Sequence, residues 1–406
     1  MSGKRVRCDV AIAGGGMVGL SLAASLADLP LEVAVIEPVA PDADDQPSFD
    51  SRTTALSSGS RHVLEGIGAW PALAVQATPI RRIHVSERGR FGTAILEARE
   101  QGLSALGYTI ENRLLGRALR ERLSGLARVR LVSARVSGIE PGENSVRLTT
   151  DAGGSVEARL VVAADGAQSA ARTALGIGAR ITDYGQHAVI AHVDTTRFHD
   201  YSAYERFTDA GPIAVLPIVE GRSAVVWTLA SEAAKRVLAL DDARFLAELQ
   251  QAFGLRLGRF TRVGRRQAYP LALTTADRLV APRAVVLGNA AQSLHPVAGQ
   301  GFNLALRDVA MLAELLAEGG DPGAPELLAR YAEWRAPDRE AVVRFTDSLV
   351  RGFGLPLGPL GRARGRGLLL FDLLRPVKRE FARRTMGLAG RQPRLVRGLP
   401  LAGGRA

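Results

Sequence analysis

The sequence predicts an α/β fold interrupted by a mainly β domain, and three observations support this prediction. An apolar run over residues 8–13 is followed by three glycines, a helical pattern and a second apolar run over 31–37, which is the order strand, turn, helix, strand. Between Ala188 and Leu229 the pattern changes to β segments separated by turns, as expected of a sheet with one covered face. A buried strand over 284–287 and long helical patterns after it indicate that the first domain then resumes.

The remaining predicted elements divide the chain in the same way. Helical patterns cover 113–126, 241–253, Phe302 to Glu318 and Pro325 toward Arg344, and further strands lie around 129–131, 146–149 and 160–164. We therefore expect a discontinuous nucleotide-binding domain over 1–180 and 277–345, a substrate-binding β-sheet domain over 181–276, and a basic, helical C-terminal tail over 346–406. Gly352–Gly354 follows no strand and is predicted to be a loop.

Composition excludes several classes of protein. The 406 residues are 47% hydrophobic and 23% charged, which is ordinary for a globular chain with a large core. Cys8 is the only cysteine, so an intramolecular disulfide and a multi-cysteine metal site are excluded; we expect no metal, and we expect Cys8 to be buried in a strand. No uncharged apolar run reaches about 18 residues, so the sequence predicts no membrane span and a cytoplasmic location.

The positive charge of the chain is concentrated at its C-terminal end. The formal net charge is +11, and residues 351–406 alone carry thirteen basic side chains against Asp372 and Glu380. Such a tail could bind nucleic acid, anionic lipid or an acidic partner protein, or could simply be a solvated arginine-rich end. Because the chain has no nucleic-acid recognition motif, we expect no nucleic-acid partner.

The first motif lies over residues 14–19 (GGGMVG), a G-x-G-x-x-G between a predicted strand and helix. Gly14 permits the tight turn, Gly16 lets the backbone approach a pyrophosphate, and Gly19 lets helix and strand pack closely. The helix N-terminus then directs free N–H groups at the phosphates. Glu37 ends the second strand, where its carboxylate can accept ribose hydroxyls and favours FAD or NAD over NADP. This motif alone does not distinguish FAD from NAD.

Two later motifs make that distinction. Residues 163–169 (AADGAQS), with Arg172, resemble the D-G motif of the flavoprotein aromatic hydroxylases. Residues 288–303 (GNAAQSLHPVAGQGFN) resemble that family's second flavin motif, usually written G-D-A-A-H-x-x-x-P-x-x-G-Q-G-x-N. In these two motifs the resemblance implies FAD contacts at Asp165, Gly288, Asn289, Pro296, Gly299, Gly301, Phe302 and Asn303. Its glycines would leave no side chain between backbone and flavin ring, and the helix starting near Phe302 would stabilise negative charge on the reduced flavin.

A fourth segment, residues 50–56 (DSRTTAL), looks like the one with which this family brings an arginine to FAD. Arg52 could then make charge-assisted hydrogen bonds to the pyrophosphate or ribityl region, and a surface arginine is the alternative. Asn112 lies near the position of a second flavin contact in the family. Together the motifs follow the family's order over residues 8 to about 345.

The resemblance implies a glutathione-reductase-like FAD domain of the Rossmann type with an inserted substrate sheet, as in hydroxybenzoate hydroxylase. It also implies the family reaction: NAD(P)H reduces FAD, the reduced flavin captures O2 as a C4a-hydroperoxide, and one oxygen is transferred to an electron-rich aromatic ring. The cofactor supplies that chemistry, and the protein supplies a dry pocket that holds the ring in place.

Departures from the usual motif narrow the resemblance to the hydroxylases of ubiquinone biosynthesis. Asn289 replaces the usual Asp and Gln292 the usual His, and residues 204–208 (YERFT) lie upstream. These features look most like the family member that hydroxylates 2-polyprenyl-6-methoxyphenol. Asn289 keeps an oxygen acceptor, so flavin binding should survive. His295, before Pro296 and close to the expected flavin, could relay a proton, but such a histidine more often packs or bonds a backbone carbonyl.

A polyprenylated phenol is very apolar, so the enzyme must meet it at a membrane surface or through other proteins of the pathway. The basic tail, with apolar residues between Leu368 and Leu374, could provide peripheral contact with the inner membrane. A hydroxylase of a small soluble phenol remains an alternative, and it would need a closed polar pocket with basic residues. A flavin reductase or halogenase on the same fold is a further alternative, although no halogenase motif is present.

Overall fold

The computed structural model describes residues 5–39, 48–354 and 370–401. Its strands are β1 Arg5–Ala13, β2 Val33–Glu37, β3 Thr53–Ser57, β4 Thr78–Ile80, β5 Arg82–Glu87, β6 Thr93–Glu97, β7 Gly107–Glu111, β8 Val129–Ser133, β9 Val136–Pro141, β10 Val146–Thr150, β11 Ser155–Ala163, β12 Ala179–Thr195, β13 Ser202–Thr208, β14 Gly211–Pro217, β15 Ser223–Ala230, β16 Phe260–Val263, β17 Gln267–Ala276, β18 Val280–Ala281, β19 Ala284–Val286 and β20 Gln292–Ser293. Its α-helices are α1 Met17–Leu26, α2 Ser58–Gly66, α3 Trp70–Ala74, α4 Asn112–Leu123, α5 Ala170–Ala174, α6 Ser231–Leu238, α7 Asp242–Phe253, α8 Gln300–Ala317, α9 Pro325–Gly354 and α10 Arg375–Thr385.

The first sheet has eight strands: six follow the order β18-β19-β11-β1-β2-β8, with β10 paired to β11 and to β9. The four pairings from β19 to β8 are parallel. Its central strands are continuous apolar runs because they are buried, and α1 lies between α4 and α8. Ala13 pairs with Ile36 and with Ala163, and Ala163 pairs with Val286. The carboxyl ends of four adjacent strands therefore meet at one edge, and each is followed by one of the predicted motifs.

The second sheet has the order β20-β17-β12-β15-β14-β13-β5-β6, with β16 paired to β12. One face packs against α6 and α7 through a core that includes Trp227, Phe245 and Phe253. β5 and β6 come from inside the segment 1–180 that was assigned to the nucleotide-binding domain. Strands β3, β7 and β4 form a small third sheet. The predicted fold class, an α/β domain with an inserted β sheet, is confirmed.

Three local predictions need correction or limitation. Gly352–Gly354 is not a loop, because α9 continues through it. Cys8 lies in β1 as predicted but is only partly buried, because the first half of that strand extends to the protein surface. Leu368 and Leu369, which belong to the apolar part of the predicted tail, lie outside the described residues.

The described part of the C-terminal segment packs against the body of the protein. Ala382 and Met386 join an apolar cluster with Leu96 and Leu106, and residues 395–396 are buried in the main core. Within the described residues, no helix is long and apolar enough to cross a membrane.

Candidate active site

The glycine turn after β1 has the geometry of a pyrophosphate-binding turn. Gly14 has a φ of +108°, and a Cβ added there would lie 2.6 Å from the carbonyl oxygen of Ala164. A Cβ on Gly19 would lie only 1.9 Å from the carbonyl oxygen of Gly14, so helix α1 can pack this close only with glycine. Gly16 is the N-cap of α1, and no side chain caps that helix. Its first N–H groups are thus available to a phosphate.

Glu37 lies at the end of β2, beside this turn. Its carboxylate accepts hydrogen bonds from the backbone N–H groups of Gly15, at 2.7 Å, and Val39, at 3.1 Å. These bonds fix the side chain next to a groove lined by Val35, Phe49 and Arg120 among others. The placement fits the predicted contact with ribose hydroxyls, which stays a prediction.

The D-G motif is held together by its own side chains. Asp165 accepts hydrogen bonds from the Ser169 hydroxyl and, at 2.9 Å, from the backbone N–H of Ala171, at the start of α5. The buried Arg172 donates to the carbonyl oxygen of Ala290 at 2.8 Å, which ties this motif to the second flavin motif. A direct contact between Asp165 and FAD stays a prediction.

The second flavin motif ends in the N-terminus of α8, which begins at Gln300, two residues before the predicted start. Gly299, with a φ of +60°, is the N-cap, and no side chain caps the helix. A Cβ added to Gly301 would meet nothing within 4 Å, so open space lies above the first turn. Asn289 is exposed. Uncapped N–H groups facing open space suit the negatively charged edge of a reduced flavin.

Asn303 is turned into the protein and not toward that space. Its carbonyl oxygen accepts hydrogen bonds from the backbone N–H of Ser57, at 2.8 Å, and from the Ser60 hydroxyl, at 2.7 Å. Its amide nitrogen donates to the carbonyl oxygens of Ala55 and Gly299, at 2.9 and 2.6 Å. Asn303 therefore joins β3 and α2 to the start of α8, and its expected contact with FAD stays a prediction.

Gln292, the departure from the usual histidine, belongs to a buried polar network. Its amide nitrogen donates to Asp308 at 2.7 Å, and its oxygen accepts from Nε of Arg339 at 3.1 Å. Asp308 also pairs with the fully buried Arg335. Gln292 thus connects the flavin motif to α8 and α9. Sequence reasoning missed these partners, which carry no motif of their own.

His295 is buried, and its Nδ1 accepts the backbone N–H of Val297 at 3.2 Å. Its ring meets Tyr184 edge-on at 5.4 Å. Burial lowers the pKa of His295 to about 4, so the imidazole is neutral at neutral pH. These contacts are those of a packing residue that shapes the loop before Pro296; a proton-relay role for His295 stays a prediction.

Arg52 lies where the substrate sheet meets the first domain. Its guanidinium pairs with Asp50 at 2.6 Å and lies over the ring of Tyr269, 4.6 Å from the centroid. The Tyr269 hydroxyl donates to Asp50 at 3.0 Å. Asn112, the other predicted contact, is buried and accepts the Thr54 hydroxyl at 2.6 Å. Tyr269 was missed by sequence reasoning because it lies more than 200 positions from Arg52.

An apolar cavity of about 280 Å³ adjoins the start of α8. Its walls come from β3, β5, β6, β13, the α8 N-terminus, α9 and α10, and its apolar lining includes Ile83, Val85, Leu96, Phe207, Val297, Phe345 and Phe381. A second cavity of about 780 Å³ between α8, α9 and α10 shares Gln300, Phe345, Phe381 and Thr385 with it. The larger cavity also has charged side chains in its wall, whereas the mainly apolar lining of the smaller one, beside the flavin motif, suits an aromatic substrate.

The residues present fit FAD. Three features that suit FAD lie at one edge of the parallel sheet. They are a glycine turn whose space any added Cβ atom would fill, two uncapped helix N-termini, and a carboxylate at the end of β2. When bound, FAD supplies the redox and oxygen-transfer chemistry that no side chain could supply. The fold and this site define an FAD-dependent monooxygenase.

Comparison with known proteins identifies the family. Residues 7–346 match the family model described as FAD binding domain. The ubiquinone hydroxylase UbiL of Rhodospirillum rubrum is 41% identical over 97% of this chain and 93% of its own length. The 3-demethoxyubiquinol 3-hydroxylase of Escherichia coli is 33% identical over 94% and 98%. The crystal structure of p-nitrophenol 4-monooxygenase PnpA from Pseudomonas putida superposes with a TM-score of 0.78 at 21% identity, over 96% of this chain and 100% of that one. The chain belongs to the family of FAD-dependent monooxygenases that includes the ubiquinone hydroxylases.

Proposed function

We propose that this enzyme hydroxylates the aromatic ring of a polyprenylated phenol, 2-polyprenyl-6-methoxyphenol, in ubiquinone biosynthesis, using FAD, NAD(P)H and O2. The observation that carries the proposal is the apolar cavity beside the flavin motif, together with the larger cavity that shares its wall. The ring would occupy the smaller cavity, and the larger one has room for a prenyl chain. Both relatives named above are ubiquinone-pathway hydroxylases by name.

The chain's own residues have three tasks in this reaction. The turn around Gly14 and the N-terminus of α1 bind the pyrophosphate, and Glu37 binds the ribose. The N-terminus of α8, at Gly299, stabilises negative charge on the reduced cofactor. Apolar side chains such as Val297 and Phe381 exclude water from the space where the ring lies.

The apolar lining of the smaller cavity argues against the alternative that the enzyme hydroxylates a small soluble phenol. Such a substrate would need polar and basic groups to replace its lost hydration. No basic side chain is found among the described residues that line the smaller cavity, where the ring would lie, and most of its wall is aliphatic or aromatic. A flavin reductase on the same fold would not need a separate apolar volume for an aromatic ring.

The test is an assay of the purified protein with FAD. We expect a bound yellow flavin, NAD(P)H oxidation that 2-polyprenyl-6-methoxyphenol accelerates, and a product heavier by one oxygen atom that carries label from ¹⁸O2. Acceleration without an oxygenated product would point to a reductase. Acceleration by small soluble phenols alone would refute the polyprenylated substrate.

We also propose that the enzyme reaches its substrate at an anionic membrane surface. Its described C-terminal segment exposes apolar side chains next to the arginines of α10, namely Leu370, Leu373, Leu374 and Val377. Apolar groups beside basic ones are typical of segments that bind the membrane interface. Deleting residues 356–406 would be a poor test, because the deletion removes buried residues such as Met386 and Leu395.

Substitutions on the surface test membrane binding without this damage. The double variant Leu373→Gln/Val377→Gln should reduce co-sedimentation with anionic vesicles, with unchanged thermal stability. Leu255→Gln, equally exposed but on the β domain, is the matched control and should bind vesicles like the wild type. Equal vesicle binding by all three proteins would refute the membrane contact and leave other proteins of the pathway as the partners to test.

A further inference from the structure

A single carboxyl group interrupts the apolar wall of the smaller cavity. Glu205, on β13, is the only ionisable residue among the described residues that line it. Its strand neighbours are Val85 on β5 and Ala214 on β14, directly opposite it in register. Cross-strand partners share a face of the sheet, so Glu205 lies among aliphatic side chains on the face that borders the cavity.

No described residue gives this carboxyl group a hydrogen bond or an ion pair. Charged groups on the elements around the cavity already have partners: Glu87, on the same face of β5, pairs with Arg90, and Lys378 of α10 pairs with Asp372 and Glu100. Burial without a partner raises the pKa of Glu205 to about 7. An unpaired carboxyl group in an apolar site is costly for folding, and such groups are concentrated at functional sites.

We propose that Glu205 binds the hydroxyl group of the ring substrate by accepting its hydrogen bond, and so orients the ring in the cavity. The inference rests on the proposed function, because it needs a phenol as the occupant. A phenol donates one hydrogen bond and is otherwise mainly apolar, which matches one carboxylate acceptor in a mainly apolar wall. The same contact draws electron density toward the ring, which favours attack by an electrophilic oxygen.

The contact should depend on pH in a defined direction. Ionised Glu205 can only accept a hydrogen bond, so it prefers a phenol to the corresponding methyl ether, which has no proton to donate. Protonated Glu205 can donate to either oxygen, so the preference disappears. We therefore expect discrimination between phenol and ether above pH 7 and its loss as pH falls below 7.

Equilibrium binding to the FAD-loaded enzyme tests the proposal without turnover. The probes are 2-geranyl-6-methoxyphenol and its O-methyl ether, and the signal is quenching of the flavin fluorescence. At pH 8 the wild type should bind the phenol about tenfold to a hundredfold more tightly than the ether, the range of a hydrogen bond to a charged group. Glu205→Leu should bind both equally, and Glu205→Gln should keep a smaller preference that does not change with pH.

The outcomes separate the two proposals. Wild-type enzyme that binds neither probe would overturn the proposed function. Wild-type enzyme that binds phenol and ether equally at pH 8, or a Glu205→Leu variant that keeps the wild-type preference, would overturn the role of Glu205 alone. Glu140→Leu, the same change at an exposed position on β9, is the control and should leave the preference and its pH dependence unchanged.

Discussion

Two glycines of the flavin motifs should respond in opposite ways to the same substitution. A Cβ on Gly19 would lie 1.9 Å from the Gly14 carbonyl oxygen, which is backbone and cannot rotate away. A Cβ on Gly301 would meet no atom within 4 Å. Gly19→Ala therefore tests whether α1 is packed as closely as described, and Gly301→Ala tests whether the open space belongs to the flavin.

The magnitudes follow from these distances. Forcing a methyl group into the α1 contact must move the helix away from β1, which should cost about 3 kcal/mol or more of stability and abolish tight FAD binding. Gly301 lies in the first turn of α8, where Ala is the better helix former, so the apoprotein should be as stable as the wild type or more stable by up to ~1 kcal/mol. If the ring occupies the space above it, FAD affinity should fall roughly tenfold to a hundredfold.

The assay combines thermal unfolding of both apoproteins, followed by circular dichroism, with fluorescence titration of FAD. We expect a lower melting temperature for Gly19→Ala only, and weaker FAD binding for both variants. Wild-type FAD affinity in Gly301→Ala would show that the flavin does not lie over the start of α8. Wild-type stability in Gly19→Ala would show that the described helix–strand contact is wrong.

Three further predictions concern residues that the motifs alone do not explain. Gln292→Leu removes one hydrogen bond from Asp308 and the acceptor of the Arg339 Nε–H, both in a buried network, so it should lower the free energy of unfolding by about 2 kcal/mol. Urea denaturation measures this change, and an unchanged value would exclude Gln292 as a stabilising member of the network. The pKa of His295 is depressed to about 4, so its contribution to stability is present above its unfolded pKa of 6.5 and is lost as pH falls toward 4. As pH falls over that range, the free energy of unfolding of His295→Asn should therefore decrease by up to about 3 kcal/mol less than that of the wild type. Parallel plots of unfolding free energy against pH for the two proteins would contradict this. Glu37→Ala should weaken FAD binding about tenfold or more, and equal affinity would remove the ribose contact.

Short-range sequence patterns predicted the parts of the fold that form between residues close together in the chain. The glycine turn, its flanking strands and the acid at Glu37 lie within 30 residues, and each glycine is required by a contact that the pattern already implies. β5 (RIHVSE) was not predicted, although its first four residues alternate between basic and apolar as in a half-buried strand. Its parallel partner β13 lies about 120 positions later, and the sequence alone does not show that pairing. The wall of the smaller cavity likewise combines strands near residue 83 with α10 near residue 382, and no short-range sequence pattern predicts that these segments meet.

Several polar residues of the motifs, among them Asp165 and Asn303, are predicted to contact FAD, and those contacts stay predictions. In the structure the side chains of Asp165 and Asn303 have hydrogen bonds within the protein. The groups directed at the open site are mainly backbone N–H groups, at the uncapped N-termini of α1 and α8. A backbone N–H cannot be placed by its own side chain, so its position depends on the residues that fix the loop. This explains why the sequence could identify the motif without assigning a role to each residue in it.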